Sequence, residues 1–213
     1  MNHAVLLIGM SPSELPRFLA FCARACDDVT LLQRRNILFD FESPVPAAVL
    51  VGFAPDSAGR WQILLTRRAA TLRKHGGQIA FAGGRSDHND ANAVATALRE
   101  AAEEVGTPPV LWRIAGKLPE CRTPSGFAVT SVLAYADALP VLRTHPAEVA
   151  ETFWLPVETA LNPQLYRARA FDWQGRRYHS PALVFGEYDI WGATALILRH
   201  LAACAAEWQQ QNR

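Results

Sequence analysis

A chain of 213 residues, 50% hydrophobic and 19% charged, has the length of one domain, or one with an extension, and the apolar content for a sizeable core. This argues against a disordered chain and against two large domains. Lys and Arg number 21 against 20 Asp and Glu, a formal net charge of +1, so no bulk field recruits nucleic acid or an anionic membrane and any polyanion recognition is local.

The first apolar run, Ala4 to Ile8, lacks a basic flank and is far shorter than the roughly 20 residues of a membrane span. Cys22, Cys26, Cys121 and Cys204 show neither a disulfide-dense nor a C-x-x-C spacing. The expectation is a cytoplasmic protein with reduced, buried thiols. Ser11-Pro12-Ser13-Glu14 combines an N-cap serine, proline at the first helical position and glutamate two residues on. This capping box predicts a helix through about Cys26. It forms an N-terminal helical extension, residues 1–36, ahead of a main domain at 37–213. After Pro44 and Pro46, the runs Ala47 to Phe53 and Trp61 to Thr66, joined by a Pro-Asp-Ser-Ala-Gly turn, predict a hairpin.

The alanine-rich stretch Asp90 to Val105, stopped by Gly106 and Pro108-Pro109, predicts a helix. Val110 to Leu118, Phe127 to Tyr135, Glu151 to Leu155 and Ala182 to Phe185 predict strands, with a short helix after Pro156 and another from about Ile190 to Trp208. Strands outnumber helices, and helices interrupt them irregularly. The pattern suggests a mixed-sheet α/β sandwich rather than a regular βαβ alternation.

The alanine-rich helix carries the chemistry. Glu100, Glu103 and Glu104 stand at i, i+3 and i+4 and share one face, beside an apolar stripe of Val94, Ala97, Leu98, Ala101 and Val105. Like charges at i,i+4 repel by a few tenths of a kcal/mol, so the face is either simply solvated or answered by a cation. Hard oxygen ligands suit Mg²⁺ or Mn²⁺. Upstream lies Gly76-Gly77-Gln78-Ile79-Ala80-Phe81-Ala82-Gly83-Gly84, whose glycines allow a ligand to approach the backbone closely.

The run Arg99-Glu100-Ala101-Ala102-Glu103-Glu104-Val105-Gly106 resembles the second half of the Nudix box. That box reads Gly, five residues, Glu, seven residues, then Arg-Glu-aliphatic-any-Glu-Glu-any-Gly. Counting back places Ala91 where the box has glutamate and Arg85 where it has glycine, with Gly84 and Asp90 each one residue earlier. One extra loop residue explains both, with Asp90 as stand-in. Leu64-Leu65-Thr66-Arg67-Arg68 and Leu72 to Gly84 are similar to the extended signature of the coenzyme A pyrophosphatase branch of that superfamily, with Ala82 in place of its proline. Gly126 to Thr130 and Ile190 to Ala195 also resemble that branch.

The resemblance implies a Nudix fold, a mixed β-sheet sandwiched between α-helices. It also implies Mg²⁺- or Mn²⁺-dependent hydrolysis of coenzyme A or a derivative to 3',5'-ADP and 4'-phosphopantetheine. On this reading Glu100 and Glu104 are the primary metal ligands and Glu103 a further one, backbone carbonyl at Gly83 or Gly84 completes the shell, and Arg99 orients Glu103. The general base lies in the box or on a later loop, where Glu148 and Glu151 are the candidates. Arg67, Arg68, Arg73, Lys74 and His75, with Gln78 of the same signature, form a basic cluster for the substrate phosphates. The partner is a small molecule, and the helical extension either caps the sheet or makes a homodimer. The alternatives are a Nudix hydrolase of ADP-ribose or a nucleoside triphosphate, and a non-catalytic Nudix-fold binding module.

Overall fold

The hairpin forms as its alternating apolar runs require. In the computed structural model, which describes residues 10, 13–25, 32, 36 and 38–212, β1 (Val45–Pro55) and β2 (Trp61–Arg68) pair antiparallel. Asp56 closes the turn, its Oδ1 accepting the Ala58 and Arg60 N–H groups at 2.9 Å each. Both strands are buried almost continuously, the mark of strands covered on two faces.

Around them an eight-stranded sheet runs β3-β2-β1-β7-β5, with β4 on β1, β6 on β7 and β8 on β2. Its other members are β3 (Ile79–Ala80), β4 (Ala82–Arg85), β5 (Arg113–Lys117), β6 (Cys121–Arg122), β7 (Phe127–Tyr135) and β8 (Val149–Pro156). β1 and β7 are parallel from Val45↔Phe127 to Phe53↔Tyr135, and the other pairings are antiparallel, so the sheet is mixed. A second, antiparallel sheet consists of β9 (Tyr166–Trp173), β10 (Arg176–Phe185) and β11 (Tyr188–Trp191).

Helices cover both faces. On one side α1 (Glu14–Ala25) and α4 (Gly192–Gln211) pack Leu15, Phe18, Leu19, Leu198 and Leu201 against Ile63, Leu65 and Leu133. On the other side α2 (Ala93–Val105) packs Ala97, Ala101 and Val105 against Ala48, Leu50, Leu64 and Val132. Ile63 and Leu65 thus face one layer and Leu64 the other, as period-two alternation dictates. A one-turn helix, α3 (Val157–Ala160), follows β8. Cys22, Cys121 and Cys204 are buried. Among the described residues no helix is long and apolar enough to cross a membrane.

Several boundaries differ from those predicted. The capping residues Ser11 and Pro12, and Cys26, lie outside the described residues. α2 starts after Asn92 rather than at Asp90: Asn92 is extended (φ −170°) and its side chain accepts the Val94 and Ala95 N–H groups, satisfying donors that the first turn leaves free. The predicted strand Val110 to Leu118 is a 3₁₀ turn, Pro109–Leu111, followed by β5, because proline fixes φ and removes a donor there. The last helix begins at Gly192, and Ile190 and Trp191 close β11.

Candidate active site

The three glutamates do not share a single solvated face. Glu104 follows Ala97 and Ala101 at spacings of seven and three, and therefore continues the stripe that α2 buries on the sheet. Its side chain is 3% exposed, Glu100 is 14% and Glu103 57%. The Glu104 Oε2 accepts the Gly83 N–H at 3.1 Å, and its Oε1 lies 3.6 Å from Nη1 of Arg68. Glu100 lies against Gly84, where a Cβ would come within 2.5–2.7 Å of the carboxyl atoms. A side chain at position 84 would push that carboxylate out of this place.

Arg99 does more than orient Glu103. Its Nη1 donates to both Glu100 (2.8 Å) and Glu103 (3.0 Å), its Nε and Nη2 grip the Asp90 carboxylate at 3.1 and 3.0 Å, and Nη2 also reaches the Arg85 carbonyl at 3.1 Å. This bidentate pairing is the place of Asp90 in the site: it fastens the loop after β4 to the acidic helix. The Arg99 guanidinium, with the Asp87 N–H, holds the Asp90 carboxyl far below the usual carboxylate range. Ala91 is exposed.

Burial pushes the Glu104 carboxyl up to about 7; the Glu100 and Glu148 charges add to this, and the Gly83 N–H and Arg68 oppose it. Glu100 is raised chiefly by burial. The chain segment that delivers Glu148 is tied to the C-terminus of α2. There Gly106 turns the chain in the left-handed region (φ 72°), the Arg143 N–H donates to the Val105 carbonyl and the His145 N–H to the Glu104 carbonyl, each at 2.9 Å. These bonds satisfy carbonyls that a helix end leaves open. The Glu148 carbonyl accepts the Ala69 N–H at 2.8 Å, so Glu148 stands where β2 ends, half-exposed, with its charge acting on both Glu100 and Glu104.

Glu151 lies elsewhere. It pairs with Arg67 at 2.6 Å, and Arg67 also contacts Glu187 and lies over the Tyr188 ring. Arg67 shares the sheet face of Ile63 and Leu65, whereas Arg68 shares that of Leu64 and reaches Glu104. Strand alternation therefore splits the basic cluster: Arg68 enters the site and Arg67 leaves it. Arg73, Lys74 and His75 are exposed in the loop between β2 and β3. Two bonds close this loop, from the Arg68 N–H to the Gln78 carbonyl and from the Gly77 N–H to the Arg68 carbonyl, and His75 Nδ1 lies 3.0 Å from Gln78 Oε1. The contact of Arg68 with Glu104 was missed in the sequence, although the alternation from Leu64 places Arg68 on the α2 face.

Among the described residues no three His, Cys, Asp or Glu side chains converge on one point. Glu100 and Glu104 nevertheless fit a hard divalent cation. Both are oxygen donors, both are largely withdrawn from water, and Mg²⁺ typically takes one or two carboxylates and fills its remaining positions with water and substrate phosphate.

Residues 43–175 match the NUDIX domain family. A protein described as "Uncharacterized Nudix hydrolase NudL" from Photorhabdus laumondii is 39% identical over 140 residues, 66% of this chain and 75% of that protein. The protein of the same description from Yersinia pestis is also 39% identical over 140 residues, 66% of this chain and 70% of that protein. Among solved structures, a Nudix hydrolase from M. smegmatis, RenU, aligns with a TM-score of 0.47 at 24% identity, over 56% of this chain and 74% of that one.

Proposed function

The chain belongs to the Nudix family and is a Nudix hydrolase; on that footing we propose that it cleaves the diphosphate of coenzyme A or an acyl derivative to 3',5'-ADP and 4'-phosphopantetheine or its acyl form. The observation that carries the substrate is the run Leu64 to Gly84, similar to the coenzyme A branch, which folds as β2, the Gln78-closed loop and β4 directly beside Glu100 and Glu104.

Nudix hydrolases generally work with divalent metal ions. Glu100 and Glu104 would hold Mg²⁺ or Mn²⁺ here, with a carbonyl at Gly83 or Gly84, and Glu103 available from the solvent side. Such an ion neutralises diphosphate oxygens and lowers the pKa of a water. Water adds to one phosphorus, the bridging P–O bond breaks and the proton passes to a base. Glu148 is the off-box carboxylate whose charge reaches both Glu100 and Glu104, and we assign it that role. Arg99 keeps Glu100 and Glu103 in place through its grip on Asp90. Arg68, with Arg73, Lys74, His75 and Gln78 of the adjoining loop, receives substrate phosphates.

The test is product analysis of coenzyme A incubated with the protein and Mg²⁺ or Mn²⁺, beside ADP-ribose, nucleoside triphosphates and a Glu104→Gln control. The expected result is 3',5'-ADP and phosphopantetheine, lost in the control. Turnover of another panel member alone would remove coenzyme A as the substrate, and no turnover anywhere would favour a binding module.

A further inference from the structure

Three arginines stand near the acidic residues, and they are held very differently. Arg99 makes five hydrogen bonds, and Arg67 is bound to Glu151 at 2.6 Å. The Arg68 guanidinium donates no hydrogen bond among the described residues, and its partner Glu104 is 3.6 Å away, within ion-pair range but too far for a hydrogen bond. It is held to the site by charge alone, with its side chain 27% exposed. Glu104, 3% exposed, is the group that most needs a cation, because a buried carboxylate is costly unless paired.

We propose that Arg68 is an internal counter-ion that competes with the divalent metal for Glu104, so that metal binding and phosphate binding are coupled through this one guanidinium. The inference rests on the reading that Glu104 holds metal. A divalent cation on Glu104 repels the guanidinium and removes the charge that held it. Arg68, half-open to solvent and without another partner to break from, is then free to meet a substrate phosphate. By linkage the coupling is reciprocal: a phosphate that draws Arg68 away leaves Glu104 to the metal. Arg99, whose three guanidinium nitrogens all donate to Asp90, Glu100, Glu103 and the Arg85 carbonyl, is not free for such a role, and the sheet separates Arg67 from the site.

The test is Mn²⁺ titration of the full chain without substrate, followed by the loss of the free-ion electron paramagnetic resonance signal, at pH 8.5 so that the carboxylates are ionised. Arg68→Met is expected to bind Mn²⁺ about three- to fivefold tighter than the wild type, the upper part of the range that one partly exposed ion pair contributes, while its KM for the diphosphate substrate rises. Arg68→Lys, which keeps the charge and guards against a packing defect, is expected to stay within about twofold of the wild type. In a Glu104→Gln background the Arg68→Met effect on Mn²⁺ is expected to vanish. Mn²⁺ affinity unchanged or weakened in Arg68→Met overturns the competition. Wild type binding Mn²⁺ no better than Glu104→Gln overturns the metal role of Glu104 itself, and is a separate outcome.

Discussion

Glu104 carries opposing demands in one side chain: it lies on the helix stripe that packs on the sheet, yet it has a charge to present. The unfolded chain releases its proton near 4.5, while burial in the folded protein delays release to about 7. The folded form therefore retains a proton that the unfolded form has lost. In metal-free protein the stability associated with Glu104 is fully present below about 4.5 and is lost as the pH rises through about 7, by on the order of 3 kcal/mol. Thermal melts of metal-free wild type should fall across that window relative to Glu104→Gln, which does not titrate; parallel curves would remove the effect. Metal binding should steepen over the same range, because the ion requires the deprotonated carboxylate. Gly84 permits a separate test. Its backbone is open to other residues, but a Cβ would strike the Glu100 carboxylate at 2.5 Å. Gly84→Ala is expected to lower kcat by at least about tenfold while moving Tm by only a few degrees. A kcat near that of the wild type would mean that Glu100 works from another position.

At the scale of elements, α2 depends on its ends. Asn92 accepts two first-turn N–H groups at 2.9 and 3.2 Å, and Asn92→Ala is expected to cost about 1 kcal/mol, a Tm drop of roughly 2–4 °C for a chain of this size, readable by calorimetry. The helix was legible in the sequence because alanines and periodic carboxylates leave little else for that segment to do. Its start was not, because Asp90, read as part of the helix, is bound by Arg99 across nine residues, a contact that propensity does not register. β1, β2 and β7 were legible from their apolar runs. β4, Ala-Gly-Gly-Arg, carries no strand signal: it is a strand because β1 pairs with it and because glycine admits Glu100. β9, with alternating Arg and Ala, is too polar to stand out and gains its order from β10. In the site, the identity of the acidic residues was legible, and their depth was not. Separating Glu104 from Glu103 required the α2 stripe, and separating Arg68 from Arg67 required knowing which face of β2 meets α2.

For the whole molecule, the question is whether the helical extension is part of the hydrolase's stability or an appendage to it. Leu15, Phe18, Leu19 and Cys22 are fully buried in the same apolar cluster as Ile63, Leu65 and Leu133 of the sheet and Leu198 and Leu201 of α4. Phe18 and Phe21 meet the Trp208 ring edge-on at 6.2 and 5.2 Å, so the first and last helices close over one face together. Further along the chain, Asn36 bonds to the Glu120 carbonyl and to the Arg122 N–H, and Phe39 packs on Trp173 and Tyr178 of the second sheet. A segment that supplies core to the sheet bearing Arg68 should unfold with it. Phe18→Ala is expected to cost about 3–5 kcal/mol through the lost burial and the cavity left behind, lowering Tm by roughly 10 °C. Calorimetry of this variant should show one transition moved as a whole, with activity lost along the same curve. A small early transition, with activity persisting to the unchanged main one, would instead make the extension a separate unit and free it for the dimer contact that its sequence also allows.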